Sequence, residues 1–469
     1  VTMIETKINP DRSRWFSHRL PPNTTVQRTL SQVQGKKQVV DVPIPVELNV
    51  LPRKKIDGNI HLEATARGPG HDDLTLWFEV PERFEAALTT QDDPFVLGFL
   101  FPLMQWARPV RVKGVVSPSL LANLELLTRV WHMRFPDLYH PLDIRADTEE
   151  ELAAENRNGE AISCFTGGID SCFTVWRHAA GVVGRRQRNI TAGLTVHGFP
   201  DTPLSKPEAF EAALENARVL LKDVGMEAIG IACNAHDLPV KGRHPWQRGH
   251  GVATGACLSL FARRFEYGLI PNSIPYKAID YIYGTSPITD WMMSSSGFRI
   301  MDDGGEVLRA RKVIELGSWP AALDRLRVCN AGALEQTNCG GCEKCIRTMI
   351  SLRIIGIDNP KSFPGGVSNR QIRRMSIRYA GTLRIMERMR EIAYAKGFGK
   401  TPWIKALEHA MRRGRRRLLR KWLGAWGRYF MLNTGRSLCG KPAMDRPPRL
   451  DIPPMARHRP TPDADCEKR

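Results

Sequence analysis

The stretch that most constrains the fold is residues 161–175, which read AISCFTGGIDSCFTV. Apolar residues 162–165 predict a strand, and the small residues 166–168 predict a tight turn. Asp170 and Ser171 then open a predicted helix. A glycine turn between a strand and a helix lets backbone N–H groups approach an anion closely, and the helix N-terminus adds a partial positive charge. We therefore expect an anion-binding turn at the end of a strand.

The turn differs from a Walker A loop, because no Gly-Lys-Ser/Thr follows at the required spacing. The letters TGGIDS instead resemble the Ser-Gly-Gly-x-Asp-Ser signature of the PP-loop ATP pyrophosphatase superfamily, with Thr166 in the first serine position. In that superfamily the loop binds the phosphates of ATP with Mg²⁺, and the enzyme adenylates a carbonyl-type oxygen and releases pyrophosphate. The resemblance implies a set of nucleotide-binding residues: Phe165, Thr166, Gly167, Gly168, Asp170 and Ser171. An ordinary glycine-rich turn of a Rossmann-like domain is the alternative.

The segments after this turn alternate between strand and helix patterns, which is typical of a parallel α/β fold. Predicted strands cover 161–165, 190–197, 227–233 and 267–271, and predicted helices cover 171–180, 207–224 and 247–265. The expected fold class is α/β, with a Rossmann-like parallel sheet of the PP-loop, adenine nucleotide alpha hydrolase-like type. Loops at the carboxyl ends of its strands should line the ligand crevice.

Four regions are expected along the chain. Residues 1–152 show period-two strand patterns and helical stretches, and they predict a separate N-terminal α+β domain with no assigned role. Residues 153–358 form the predicted PP-loop ATP-binding domain. They are followed by a basic helical segment, 359–433, and by a disordered proline-rich tail, 434–469.

Two further residues are predicted to lie in the crevice. His197 closes the second predicted strand, where the resemblance places the nucleotide base and ribose; a structural residue at a strand end is the alternative. Asp290 lies in the polar, small-residue-rich loop 284–297 and is predicted to contact Mg²⁺ or substrate. A capped helix that begins near this loop is the alternative interpretation of Asp290.

A cationic group follows the predicted turn at 302–305. One of Arg309, Arg311 and Lys312 is expected to hold a phosphate or a substrate carboxylate, since such contacts require a fixed cation. A solvated charged strand is the alternative. The predicted catalytic residues are Asp170, Ser171, Asp290 and Lys312.

The clearest metal-binding pattern covers residues 329–345, which read CNAGALEQTNCGGCEKC. Four thiolates at the spacing C-x9-C-x2-C-x2-C suit a tetrahedral zinc ion. An iron–sulfur cluster is the alternative, because cysteine spacing does not distinguish the metals. The four predicted ligands are Cys329, Cys339, Cys342 and Cys345. The remaining cysteines are scattered among apolar residues, which favours a reducing, cytoplasmic environment over a secreted disulfide framework.

A PP-loop followed by this cysteine pattern resembles the 7-cyano-7-deazaguanine synthase family of the queuosine pathway, over roughly residues 160–355. That family uses ATP and ammonia to convert a carboxylate to an amide and then a nitrile, and it carries a structural zinc. The chain departs from the pattern in its initial threonine and in a first cysteine gap that is one residue longer. The ending NCGGCEKCIRTMISL also resembles PP-loop proteins encoded beside surface-sugar genes, so a sugar or another small carboxylate is an open alternative.

The resemblance implies an ATP-dependent, AMP- and pyrophosphate-forming ligase that acts on a small-molecule carboxylate and ammonia. The alternative is a tRNA-modifying, thiolating PP-loop enzyme, which activates a base carbonyl with the same loop. A catalytically inactive nucleotide-binding or assembly protein is a third hypothesis, and a homodimer is a candidate assembly.

The net charge of +19 is concentrated near the C-terminus. Residues 361–469 hold 27 Lys/Arg and 8 Asp/Glu, whereas the preceding residues hold 41 of each. Residues 370–431 combine arginines with apolar residues at helical spacing, so we weigh RNA, an anionic membrane surface and docking on the protein itself as partners. The absence of a long apolar run and of a signal-peptide pattern favours a cytoplasmic location.

Overall fold

The computed structural model describes residues 26–33, 36–153, 159–276, 282–329 and 338–438. The strands are β1 (Val26–Val33), β2 (Lys36–Pro43), β3 (Val46–Val50), β4 (Lys54–Ile56), β5 (Asn59–Arg67), β6 (Leu74–Pro81), β7 (Val110–Val116), β8 (Ile144–Glu149), β9 (Glu160–Cys164), β10 (Asn189–His197), β11 (Glu227–Cys233), β12 (Tyr267–Pro271) and β13 (Arg299–Asp303).

The α-helices are α1 (Asp93–Trp106), α2 (Pro118–Arg134), α3 (Ile169–Ala179), α4 (Pro207–Asp223), α5 (Pro245–Ser259), α6 (Arg309–Glu315), α7 (Pro320–Arg325), α8 (Glu343–Ile354), α9 (Asn369–Arg374), α10 (Ala380–Ala395) and α11 (Pro402–Leu438). Short 3-10 helices lie between several of these elements, including Glu82–Ala87 and Asp290–Met293.

The predicted parallel sheet is present. Strands β13, β12, β9, β10 and β11 lie side by side in that order, and each neighbouring pair is parallel. The chain leaves β9 toward β10 and β11 on one side and later returns to β12 and β13 on the other side. This reversal is a topological switch point, the place where open α/β sheets bind ligands beyond the carboxyl ends of their strands. The glycine turn follows β9, at the reversal.

The N-terminal region shares this sheet, although the sequence predicts a separate α+β domain for residues 1–152. Strand β6 pairs antiparallel with β11, and β5, β3, β7 and β8 continue the sheet beyond β6. Helix α1 buries 12 of its 14 residues and packs against α5. A helix that is apolar on all sides must be covered on all sides, so the two regions bury one hydrophobic cluster together.

A second hydrophobic cluster joins the glycine turn to the C-terminal helices. It holds Phe165 and Phe173 beside the turn, Val313 of α6, and Ile346 and Ile350 of α8. Helix α6 packs between α3 and α8. The cysteine-bearing region at the start of α8 is therefore packed close to the predicted nucleotide loop.

The basic segment forms helices, as predicted, but the arginine-rich stretch 370–390 is divided between α9 and α10. Residues 402–418 of α11 bury Ile404, Leu407 and Met411 in the second cluster, and α11 packs against both α9 and α10. Docking on the protein therefore accounts for the apolar face of this half of the helix. The helix continues to Leu438, so the first five residues of the predicted tail are helical, and 439–469 lie outside the described residues.

No helix in the described part of the chain has both the length and the apolar character that a membrane crossing requires.

Candidate functional site

The turn after β9 has the backbone shape that its glycines predict. Gly167 has a φ of +69°, in the left-handed region that favours glycine, and Gly168 is the extended N-cap of α3. The N–H groups of the first turn of a helix have no acceptor within the helix. Those of α3 therefore lie at the carboxyl edge of the sheet, together with the positive end of the helix dipole, and this arrangement favours an anion.

The hydroxyl groups of Thr166 and Ser171 stabilise this turn. Ser171 Oγ donates to the carbonyl oxygen of Gly168 at 3.1 Å and accepts from the N–H of Thr166 at 3.3 Å. Thr166 Oγ1 lies 3.4 Å from Ser171 Oγ, so threonine supplies here the hydroxyl of the usual serine. Ser171 is buried, so its hydroxyl acts first on the shape of the loop.

The carboxylate of Asp170 is held by two cations from α6. Lys312 Nζ lies 3.0 Å from Asp170 Oδ1, and an Arg309 guanidinium nitrogen lies 3.1 Å from Oδ2. Burial raises the pKa of Asp170, but the charges of Arg309 and Lys312 outweigh burial and hold the pKa below its ordinary value. Asp170 is therefore ionised, and both of its oxygens are occupied by cations.

The three predicted cations all lie on α6, where Arg309 and Lys312 contact Asp170 and Arg311 lies on the exposed side. Arg309 and Lys312 are three residues apart and share a helical face, whereas Arg311 pairs with Glu315 on the exposed side. Lys312 is buried, donates to the carbonyl oxygen of Asn272 at 2.5 Å and lies over the ring of Phe173. The alternative of a solvated charged strand is therefore wrong, because the segment is a helix with a buried lysine.

Three further cations lie near the loop on segments close to the cysteines. The backbone N–H of Arg327 donates to the carbonyl oxygen of Gly167 at 2.8 Å, and its guanidinium donates to the carbonyl oxygen of Asp201 at 2.6 Å. Burial and then the charge of Arg309 lower the pKa of Arg347 to about 10, and Arg347 in turn acts on Asp170. Lys344 lies within electrostatic reach of Arg309 and Arg347. No sequence pattern predicts Arg327, Lys344 or Arg347 at the loop.

A carboxyl group missed by sequence reasoning lies beside this cluster. Asp302 is the penultimate residue of β13, and the side-chain amide nitrogen of Asn272, which follows β12, donates to its carboxylate. Burial, together with the charge of Asp303, raises the pKa of Asp302 to about 7. Because Asn272 also binds Lys312, one residue connects an acid–base group to the nucleotide loop. Its position at a strand end was the available signal, but the sequence suggests only a turn there.

Phe165 and His197, which are predicted to contact the nucleotide, both pack against neighbouring protein groups. The side chain of Phe165 is fully buried in the second cluster, and its N–H and carbonyl groups bond Leu194 and Thr195. The ring of His197 stacks on Phe210 with centroids 4.8 Å apart, and its Nε2 lies 3.2 Å from the carbonyl oxygen of Pro203. Phe165 therefore supports the loop from beneath, whereas His197 remains partly exposed at the end of β10.

Asp290 lies in the short 3-10 helix Asp290–Met293. Its side chain is completely buried, and Oδ1 accepts from the N–H of Ser286 at 2.7 Å. Burial raises the pKa of Asp290 well above its ordinary value, which favours the neutral form. Its other oxygen, Oδ2, is buried without a hydrogen-bond partner among the described residues, and the contact with Mg²⁺ or substrate stays a prediction.

The four predicted cysteine ligands come together, with all four Sγ atoms within 4.8 Å of one another. The Cys329–Cys342 and Cys339–Cys345 sulfur distances are 3.8 and 3.9 Å. A tetrahedral ion with metal–sulfur bonds of about 2.3 Å separates its ligands by about 3.8 Å. The N–H groups of Gly341 and Cys342 donate to Cys339 Sγ, which stabilises a thiolate. This donor set fits a single metal ion.

Comparisons of the chain with protein-family models, with curated proteins and with solved structures found no match.

Proposed function

We propose that the chain is an ATP-dependent ligase that adenylates a small-molecule carboxylate, releases pyrophosphate and transfers ammonia to the activated carbonyl. The observation that carries the proposal is the convergence of Lys312 and Arg309 on Asp170 at the N-terminus of α3. Backbone N–H groups, a helix dipole and two fixed cations meet there at the switch point of a parallel sheet. This combination suits the polyphosphate of ATP.

The chemistry of this site is mainly positioning and neutralisation of charge. An oxygen of the substrate carboxylate attacks the α-phosphorus of ATP, and the bond from that phosphorus to the bridging oxygen breaks to release pyrophosphate. The nitrogen of ammonia then attacks the carbonyl carbon, AMP leaves, and an amide forms after one proton is lost. Lys312, Arg309 and the loop amides would stabilise the negative charge that moves onto pyrophosphate.

Asp170 orients these cations in the proposed site. Both Asp170 oxygens contact cations, and the contact of Asp290 with Mg²⁺ or substrate stays a prediction. Mg²⁺ would enter with ATP, held by phosphate oxygens and water as is usual for this ion.

Asp302 is our candidate for the proton acceptor in the ammonia step. Its pKa of about 7 lets it exchange a proton near neutral pH, and Asn272 holds it at the same edge as Lys312. The carboxylate substrate would lie between the ends of β12 and β13 and the nucleotide loop.

We assign zinc to the four-cysteine site. An iron–sulfur cluster carries its own sulfides and several irons between the ligand sulfurs, which requires more room than a single ion needs. The sulfur spacing fits one ion, and four thiolates are a usual structural zinc set. Zinc there would stabilise the fold beside the loop and take no part in bond making.

The alternative of a thiolating tRNA enzyme has less support from the described cysteines. Such an enzyme needs a reactive thiolate as sulfur carrier. Outside the metal site, Cys172, Cys233 and Cys257 are buried, and burial raises the pKa of Cys164 to about 12. Burial also raises the pKa of Cys172 and of Cys257 above the ordinary thiol value, which disfavours a reactive thiolate at these positions.

The test is carboxylate-dependent exchange of labelled pyrophosphate into ATP, screened over small carboxylates that include deazapurine and sugar acids. We expect exchange with at least one carboxylate, AMP as the nucleotide product, and amide formation after ammonia is added. Formation of ADP and phosphate would contradict the proposal. Pyrophosphate exchange that occurred only with tRNA, and with none of the small carboxylates, would favour the thiolating tRNA enzyme.

A further inference from the structure

We propose that the metal-binding segments form the second wall of the phosphate site, with Arg327, Lys344 and Arg347 binding the polyphosphate chain opposite Lys312. Metal occupancy would then set the affinity of the protein for polyphosphate anions. This inference rests on the proposed function and adds to it a group of ligand-binding residues and a means of control.

The first link runs through Arg327, two residues before the metal ligand Cys329. The N–H of Arg327 donates to the carbonyl oxygen of Gly167 at 2.8 Å. A Cβ atom added to Gly168 would lie 3.4 Å from the carbonyl oxygen of Arg327. The backbone at Arg327 is thus in contact with both glycines of the turn. Any shift of Cys329 would be passed to the loop through two peptide units.

The second link runs through α8, which begins at the metal ligands. Cys342 is the N-cap of α8, and its sulfur accepts from the N–H of Cys345. Lys344 and Arg347 lie three residues apart in the first turns of this helix, with the metal ligand Cys345 between them. Arg347 is buried and acts electrostatically on both Arg309 and Asp170. The metal ligands therefore fix the start of the helix that carries two of the cations.

The metal joins these two links. Without it, the segment around Cys329 is held to its surroundings by the side chain of Asn338, which bonds Val328, Leu326 and Ser362. Cys329 lies on one side of the cluster, and the other three ligands belong to the turn that begins α8. Coordination by one ion would lock Arg327 and α8 into a single rigid unit facing α3.

The charges of this unit fit an anion with several negative charges. Five cations lie around the loop, namely Arg309, Lys312, Arg327, Lys344 and Arg347, and the acidic groups that act on them include Asp170, Asp302, Glu343, Asp201 and Cys342. The charge of Arg309 repels that of the buried Arg347, and an anionic ligand would relieve this repulsion. Pyrophosphate, as the free leaving group or as part of ATP, supplies that charge together with acceptors for several donors.

The test is calorimetric titration of inorganic pyrophosphate into zinc-loaded full-length protein and into Arg327→Gln and Arg347→Gln. We expect each variant to bind at least about tenfold more weakly, the loss of one charge-assisted hydrogen bond, with zinc content unchanged. Arg311→Gln is the matched control, since Arg311 pairs with Glu315 away from the loop, and it should bind as wild type does.

A second titration uses protein from which zinc has been removed with a chelator and then restored. We expect affinity for pyrophosphate to fall at least tenfold and to recover with zinc, while far-ultraviolet circular dichroism shows that the helices persist. Wild-type affinity in both arginine variants would overturn the inference, whatever chelation does to folding. If Lys312→Met alone abolished binding, the proposed function would survive and this inference would fail; if zinc-loaded wild type bound neither pyrophosphate nor ATP, both would fail.

Discussion

At the residue scale, the sequence predicts the position of Asp170 but not the residues that its carboxylate contacts. The motif predicts a carboxylate at the start of α3, and the structure places it there. Arg309 and Lys312 lie more than a hundred residues after Asp170 in the sequence. No local sequence pattern therefore predicts that they pair with its two carboxylate oxygens. The ATP-binding role that the resemblance implies for Asp170 stays a prediction, and we propose that its carboxylate positions these two cations.

Lys312→Met should destabilise the protein, because it leaves the buried carboxylate of Asp170 with one partner. Breaking a buried ion pair costs about 3 to 5 kcal/mol of unfolding free energy. We expect a loss near the lower end, since Arg309 still contacts Asp170. Urea titration measures the change, and Asp170→Asn added to Lys312→Met should restore part of it. A double variant as unstable as the sum of the two single changes would show that the pair is not coupled.

Asp302 should make stability fall as pH rises from about 4 to about 7. Its folded pKa of about 7 lies above the ordinary value of 3.8, so the folded state binds the proton more tightly than the unfolded state in this window. The contribution is fully present below the unfolded pKa and is lost as pH rises through the folded pKa. Within the window the slope approaches about 1.4 kcal/mol per pH unit.

Urea unfolding of wild type and Asp302→Asn from pH 4 to pH 8 isolates this contribution. The asparagine stays neutral, so the difference in unfolding free energy between the two proteins should shift in favour of the variant as pH rises. A difference that stays constant over this range would contradict the pKa assigned to Asp302.

At the element scale, the sequence predicts what is local and misses what the topology brings together. The turn at residues 166–168, the positions of strands β9 to β12 along the chain and the cluster of four cysteines follow from short-range patterns. The cation group does not, because α6 carries Arg309, α8 carries Lys344 and Arg347, and Arg327 precedes the cysteines; these segments meet only when α6 packs between α3 and α8. The burial of Asp290 was not predicted for a related reason, since polarity in a loop does not show whether a carboxylate faces solvent or accepts from the backbone of its own turn.

Comparing Gly167→Ala with Gly181→Ala distinguishes the loss of stability caused by backbone strain from a loss of ligand binding at the turn. Both Gly167 and Gly181 have a φ of +69°, but a Cβ on Gly167 would lie 3.0 Å from Asn216 Nδ2, whereas one on Gly181 would meet open space. Left-handed alanine costs roughly 1 to 2 kcal/mol, so both alanine variants should lose comparable stability in urea titrations. Only Gly167→Ala should weaken pyrophosphate binding in calorimetry. Equal weakening in Gly181→Ala would show that the effect is global.

At the scale of the whole molecule, the boundary predicted at residue 152 does not separate two sheets. The sequence shows strands on both sides of it, but the pairing of β6 with β11 is a contact between distant edges that no local pattern specifies. The burial of α1 against α5 then unites the two regions in one hydrophobic cluster.

A shared sheet and core should make the N-terminal region and the region that begins with β9 unfold together. We expect tryptophan fluorescence and far-ultraviolet circular dichroism to give coincident urea transitions for the full chain. The double variant Leu76→Ala and Phe99→Ala, placed on the N-terminal side of the shared cluster, should shift both signals equally. A separate early transition that removed the N-terminal strands and left pyrophosphate binding intact would support two independent domains.

The measurement that tests the central claim most directly is calorimetric binding of an ATP analogue with a methylene bridge between its α- and β-phosphorus atoms, in the presence of Mg²⁺. It needs no knowledge of the carboxylate substrate. We predict saturable binding of one equivalent to the zinc-loaded protein, and a loss of at least about tenfold in affinity in Lys312→Met but not in Arg311→Gln. Absence of binding to wild type, or equal binding by Lys312→Met, would contradict the assignment of the turn after β9 as an ATP site.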